Sequence, residues 1–158
     1  MKNDKTKSVG PAGGVVDFEG VCRQAGLRVT PQRIAVCREL ARSKEHPSAD
    51  MLCRKLRKRF PNISLDTVNR TLLTLREIGV AIVVEGSGGA KRFDGNLEKH
   101  QHFKCVKCKR IIDFYHEPFD NIEVPASIAG KFKVLRKTVY LEGICERCGW
   151  AAKIVKAV

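Results

Sequence analysis

The sequence predicts an α+β chain of two small domains, in which helices closed by a β-hairpin lead into a smaller α/β domain stapled by a metal ion. Three observations predict it. Three helical stretches with polar caps follow one another between Thr30 and Gly79; an apolar run, a glycine-rich turn and a second short run come next; and two Cys-x-x-Cys pairs, Cys105/Cys108 and Cys145/Cys148, occupy the last third. At 158 residues, 43% hydrophobic and 30% charged, the composition is that of a folded soluble protein. No apolar run approaches the length that spans a bilayer. Residues 1–16 carry Lys, Gly and Ser without a hydrophobic segment, which excludes a secretory signal and predicts a disordered tail.

The first helix expected is a weak one over 17–25. Thr30-Pro31 then supplies an N-cap followed by proline at the first helical position, opening a helix over Pro31–Arg42 with Ile34, Cys37 and Ala41 on one face. Ser48 caps the next, where Ala49, Leu52, Cys53 and Leu56 form an apolar stripe and Arg54, Lys55, Arg57 and Lys58 face water. Ser64 caps another, with Val68, Leu72, Leu75 and Ile78 inward and Gly79 as the terminator.

The apolar run 80–84, the turn Glu85-Gly86-Ser87-Gly88-Gly89-Ala90 and the segment Lys91-Arg92-Phe93 read as a β-hairpin. Helices followed by a hairpin describe a winged helix, which sets one helix in the major groove of DNA. The natural reader is the helix over Leu65–Glu77, whose outward Asp66, Thr67, Asn69, Arg70 and Thr74 suit base edges and phosphates. The same residues also fit an ordinary solvated face. The expected division is therefore a winged-helix DNA-binding domain over 17–90 and a second domain over 91–158. In the latter, 110–115, 132–141 and 151–156 read as strands, and a short helix within 119–130 is interrupted near Pro125. A domain of that size needs a staple.

Four thiolates in two Cys-x-x-Cys pairs complete a tetrahedral zinc site, each pair reaching one ion from a single turn. The 36 residues between the pairs exceed a simple ribbon, so a β-element must bring them together. His100 and His102 alternate with Gln101, and on an extended segment both imidazoles point to one side. They cannot join a site already filled by sulfur and so suggest a second metal site, with Asp94 or Asp113 as an oxygen donor. His46, in His46-Pro47-Ser48, reads on its own as an exposed loop residue, and His116 as a surface one. Cys22, Cys37 and Cys53 lack metal spacing and read as buried small hydrophobes. Seven cysteines, an odd number with two metal-like pairs, fit a reducing cytoplasm better than a disulfide framework.

The formal net charge of +13 points towards a polyanion such as nucleic acid; four zinc-bound thiolates would lower it to about +11. Residues 1–90 hold 16 basic and 9 acidic side chains and 91–158 hold 14 and 8. Charge by itself therefore locates no DNA surface.

Taken in order, these motifs resemble the ferric uptake regulator (Fur) family of metal-dependent transcription regulators. The residues that carry the resemblance are Leu27-Arg28-Val29-Thr30-Pro31-Gln32-Arg33, His46-Pro47-Ser48-Ala49-Asp50, Ile63-Ser64-Leu65-Asp66-Thr67-Val68, Arg92-Phe93-Asp94, the His-x-His and both cysteine pairs. The resemblance implies a homodimer of winged-helix domains joined by C-terminal dimerisation domains, with Cys105, Cys108, Cys145 and Cys148 on structural Zn2+. It implies a regulatory Fe2+ or Mn2+ site of His46, Asp94, His100, His102 and Asp113, whose occupancy clamps the DNA-competent pose. Candidate contacts to double-stranded operator DNA are Arg28, Thr67, Asn69, Arg70 and Thr71.

Within that family the chain is most similar to the peroxide-sensing branch (PerR). Asp113 stands where iron-uptake regulators usually carry Glu, and Lys99 and Gln101 replace the His and Asp of an additional site. The branch implies that bound Fe2+ reacts with hydrogen peroxide and a ligand histidine, His46 or His100, is oxidised, releasing metal and DNA. Two residues depart from the family pattern: Asn69 replaces a DNA-contacting tyrosine, and Lys109 a glycine after the first cysteine pair. Other readings are an iron- or zinc-uptake regulator answering to occupancy alone, a non-haem iron enzyme and a zinc-ribbon nucleic-acid module. The enzyme is disfavoured because no nucleophile arrangement is visible.

Overall fold

The computed structural model of the protein describes residues 8–9, 15–16, 18–24, 26, 28–84, 90–135 and 137–149. It divides into two compact units, Met1–Leu97 and Glu98–Val158. The expected boundary at 90/91 therefore moves towards the C-terminus. The reason is that the hairpin's second strand pairs with the first and sends Phe93, fully buried, into the first unit's core.

The first unit opens with two short strands, β1 (Ser8–Val9) and β2 (Val15–Val16), paired antiparallel. These are the described residues of the tail read over 1–16; the rest of it lies outside the described set. Helices α1 (Phe18–Gln24), α2 (Pro31–Arg42), α3 (Ala49–Leu56) and α4 (Leu65–Glu77) follow. The caps of the last three are those legible in the sequence. Thr30 accepts from the amide of Arg33 at 3.3 Å, Ser48 from Met51 at 3.2 Å and Ser64 from Thr67 at 3.0 Å, each satisfying an amide the helix leaves without a partner. Gly79, at φ 76°, ends α4 in the left-handed region.

The core gathers Leu52, Cys53 and Leu56 of α3 and Val68, Leu72 and Leu75 of α4 with α2 and Phe93. On α2 the buried face is Ala35, Val36, Cys37 and Leu40, with Ile34 and Ala41 only half-buried. The helix is rotated from the face expected because α3 and α4 both pack against it. Cys22, Cys37 and Cys53 are buried, as their lack of metal spacing predicted. Burial pushes the Cys37 thiol up to about 12, the nearby Cys22 adding to the effect. Strands β3 (Ile82–Val84) and β4 (Arg92–Asp94) form the hairpin, with Ile82 opposite Asp94; the glycine-rich turn 85–89 lies outside the described residues.

In the second unit a three-stranded sheet has the order β6-β5-β7, from β5 (Gln101–Cys105), β6 (Ile111–Phe114) and β7 (Tyr140–Gly143). The β5–β6 pair is antiparallel and the β5–β7 pair parallel. Two one-turn helices, α5 (Glu117–Asp120) and α6 (Ala126–Ala129), lie between, broken before Pro125. One sequence expectation is corrected: among the described residues the strand read over 132–141 is confined to Tyr140–Gly143. The extended His-x-His segment is the central strand. The strand expected over 151–156 lies outside the described residues.

Candidate metal centres

The parallel pairing of β5 and β7 brings the two cysteine pairs together. Cys105 is the last residue of β5 and stands opposite Gly143, and Cys145 follows β7 by two residues. The next amide along, that of Val106, donates to the Gly143 carbonyl at 2.8 Å. Each pair then turns tightly: Lys109 N donates to the Cys105 carbonyl at 2.9 Å, and Cys148 N to that of Cys145 at 3.0 Å. The four sulfurs lie within 4.8 Å of one another, Cys108 and Cys145 at 3.7 Å. Tetrahedral zinc with bonds of about 2.3 Å requires sulfur–sulfur edges of about 3.8 Å, so the donor set fits.

Electrostatics favour a thiolate here. Backbone amides at Cys108 and Cys145 pull the Cys105 thiol down to about 6; that of Cys145 donates to Cys105 Sγ at 3.4 Å. The Cys108 thiol, burial and the other sulfurs push Cys148 up to about 12, because without a cation one proton among clustered sulfurs is hard to remove. Arg110 ties the two turns, its Nη2 lying 2.5 Å from Glu146 Oε1. Lys109, where the family resemblance implied glycine, adopts φ 61°, the left-handed region that glycine favours, and its Nζ donates to the Val106 carbonyl at 2.7 Å. The turn is thus kept despite the substitution.

A second cluster of donors lies on the same sheet. His102 stands opposite Asp113 in the β5–β6 register, so both side chains share a face. His100, two residues before His102, joins them: its Nε2 lies 2.9 Å from His102 Nε2, and Asp113 Oδ1 lies 3.7 and 3.5 Å from the two nitrogens. His100 Nδ1 lies 2.8 Å from the Glu98 carbonyl, which only an Nδ1–H can satisfy. The tautomer so fixed leaves an Nε2 lone pair directed at the cluster, the form a metal ligand needs. Two cis ligands at about 2.1 Å from one ion stand about 3.0 Å apart, close to the spacing of the two nitrogens.

The first unit supplies another pair. His46 Nε2 and Asp94 Oδ2 lie 3.6 Å apart, both residues buried. His46 is not the exposed loop residue its sequence neighbourhood suggested. Its backbone sits at φ 49°, a left-handed conformation that costs a non-glycine residue about 1–3 kcal/mol. Arg92 holds it there, with Nε donating to the His46 carbonyl and Nη2 to that of Glu45 at 2.6 Å. Phe93 N donates to the Pro47 carbonyl at 3.1 Å, and Asn96 N to Asp94 Oδ1 at 2.7 Å, turning Oδ2 towards the histidine.

Of the candidate DNA contacts, Arg28 and Arg70 are exposed and Thr67 and Asn69 half-exposed. Thr71 is corrected: it is buried, and its hydroxyl donates to the Thr67 carbonyl at 2.7 Å, facing the core. The helical spacing of Thr71 from Val68, Leu72 and Leu75 was the available signal. Sequence reasoning also passed over Gln101. Its amide donates to Asp120 Oδ1 at 2.7 Å and accepts from His116 N at 2.8 Å, pinning α5 to the strand between the two histidines. His116 is exposed, as expected, with its ring against Phe119.

The sequence matches the ferric uptake regulator family model over residues 24–142. This chain belongs to that family. It is 36% identical over 126 residues to the peroxide-responsive repressor PerR of Staphylococcus epidermidis, covering 80% of this chain and 84% of that protein. Among solved structures, the Helicobacter pylori ferric uptake regulator Fur, described as having three functional metal-binding sites, superposes with TM-score 0.71 at 25% identity. The match covers 83% of this chain and 88% of that one. Fur of Vibrio cholerae gives TM-score 0.63 at 26% identity, over 80% and 98% of the chains. The fold is thus the winged-helix and α/β arrangement of the ferric uptake regulators, which are metal-responsive transcription regulators. Among the described residues no helix is long and apolar enough to cross a membrane.

Proposed function

We propose that this member of the ferric uptake regulator family acts in the cytoplasm as a homodimeric, metal-dependent repressor on operator DNA and senses hydrogen peroxide through oxidation of its own histidines. The observation that carries the reading is the convergence of His100, His102 and Asp113 on one face of the sheet, separate from the sulfurs that suit structural zinc. His46 and Asp94 of the first unit would complete the regulatory set. Three imidazoles and two carboxylates suit Fe2+ or Mn2+ and leave a coordination position open. Bound Fe2+ would supply an electron to hydrogen peroxide beside the histidines, whereas Mn2+ would hold the same residues without doing so.

The protein's own parts then do the switching. His46 and Asp94 hang from the wing and the α2–α3 connection, so drawing them towards the histidines fixes the winged helix in one pose; an effector acts by its preference for that pose. Oxidation of His46 or His100 spoils a donor and removes the preference. On the DNA side, Arg28, Thr67, Asn69 and Arg70 would face the operator, an Asn being able to bond adenine bidentately. Exposed Phe132, Leu135, Ile128 and Leu141 give the second unit an apolar surface suited to a second copy.

Anaerobic protein loaded with Fe2+ and treated with a small excess of hydrogen peroxide should gain one oxygen on the peptide carrying His46 or His100, and none when loaded with Mn2+. Unmodified histidines with iron retained would overturn peroxide sensing in favour of an uptake regulator, a reading the likeness to two Fur structures keeps specific. His102→Ala should abolish metal-activated DNA binding at unchanged zinc content. Loss of zinc as well would mean that the two metal sites are not separate.

A further inference from the structure

The chain contains two tyrosines, and each lies against one of the two sheet histidines. The ring of Tyr115 is centred 6.0 Å from that of His100, and the ring of Tyr140 6.4 Å from that of His102, both tilted. The sheet dictates this placement. Tyr140 is opposite His102 in the parallel β5–β7 register, and Tyr115, two residues beyond Asp113, returns to the face that Asp113 occupies.

The two phenols differ in surroundings. Tyr140 is only half-exposed, and the Lys104 Nζ that sits 5.8 Å from its ring centre is paired with Glu142 Oε1 at 2.9 Å, so burial rather than the lysine charge sets this phenol apart. Tyr115 is 65% exposed, so water is at hand to take a phenolic proton. Phenols are among the side chains most easily oxidised by one electron, and a gap of 6.0 Å between ring centres is short for electron transfer.

We propose that Tyr115 is a one-electron donor to the peroxide reaction and a modification site that competes with His100 for oxidation. The inference rests on the peroxide reading above. In the step, the O–O bond of hydrogen peroxide breaks. Bound Fe2+ would supply one electron, and Tyr115 one electron with its phenolic hydrogen. Together with one proton from solvent these yield two waters, a ferric ion and a phenoxyl radical on Tyr115. No oxygen is inserted into His100 when the equivalent is spent in this way. Tyr115 thus sets the peroxide dose at which ligand damage begins, and Tyr140, less open to the water that takes its proton, contributes less.

The test uses the full-length zinc-replete chain, loaded anaerobically with Fe2+ and given substoichiometric hydrogen peroxide in the presence of a nitroso spin trap, followed by peptide mass spectrometry. A trap adduct is expected on the Tyr115 peptide. In Tyr115→Phe the adduct should be lost and the oxygenated fraction of His100 should rise, while Tyr140→Phe should stay close to the unaltered chain. Mn2+ affinity, titrated separately, should be the same in all three. Equal histidine oxidation in the unaltered chain and Tyr115→Phe, with no tyrosine adduct, overturns the inference and leaves the peroxide reading standing. Weakened Mn2+ binding in Tyr115→Phe overturns it in favour of a packing role. Unmodified histidines and tyrosines with iron still bound overturn both readings.

Discussion

Replacing Cys105 by serine removes one of four sulfurs from the point where β5 and β7 end together. Among the described residues of the second unit the buried apolar side chains are Cys105, Ile111 and Cys145. Burial of Ile111 contributes about 1.5–3 kcal/mol, whereas a structural zinc supplies about 10–16 kcal/mol. The metal term is also comparable to the whole stability of an ordinary domain, about 5–15 kcal/mol. Serine keeps its proton at neutral pH and offers no thiolate. Loss of a partner outside the ligand set already costs about 10–100-fold in metal affinity, so loss of a ligand should exceed that. Cys105→Ser protein should be purified with substoichiometric zinc, and the strand signal of the second unit should be lost at a lower temperature and urea concentration in circular dichroism. Stoichiometric zinc with an unchanged unfolding midpoint would refute the assignment of these sulfurs as the staple.

Four further outcomes follow from particular residues. A methyl group on Gly95 would stand 3.1 Å from Ala41 Cα and 3.2 Å from Leu40 O, so the α2 backbone would have to give by a few tenths of an ångström; Gly95→Ala should therefore destabilise the first unit by about 1–3 kcal/mol in urea unfolding. Cys37, raised by burial from 9.0 to about 12, keeps its proton when folded while the unfolded thiol ionises above pH 9. Its contribution is full below pH 9 and is lost towards pH 12 at about 1.4 kcal/mol per unit; Cys37→Ala should flatten the fall in stability between pH 8 and 10.5, and identical slopes would contradict the burial. In operator-binding titrations Arg70→Ala should weaken affinity by about 1–3 kcal/mol, because its exposed pair with Asp66 at 3.9 Å holds it only loosely. Thr71→Val, altering a buried hydroxyl, should leave operator affinity unchanged.

What the sequence by itself determined is local chemistry. Thr30, Ser48 and Ser64 announced three helix starts because a cap needs only an amide three residues on. Gly79 announced an end because its φ is positive, and the Cys-x-x-Cys spacing announced a zinc turn because both sulfurs of a pair belong to one turn. Asp94, His100, His102 and Asp113 were legible as metal-ligand candidates from residue type and alternation. His46 entered the set through the family motif, since neither spacing nor burial marked it. Tertiary structure decided which candidates meet. The parallel β5–β7 register joins cysteines that spacing left 36 residues apart, and the antiparallel β5–β6 register puts Asp113 rather than a neighbour beside His102. The lock that Arg92 places on His46, and the one Gln101 places between the histidines, join residues up to 46 apart in sequence. Strand partners depend on which apolar faces can be buried together, a property of the whole chain that no local pattern encodes. The helix face that hides Thr71 is settled for the same reason, by packing against α2 and α3.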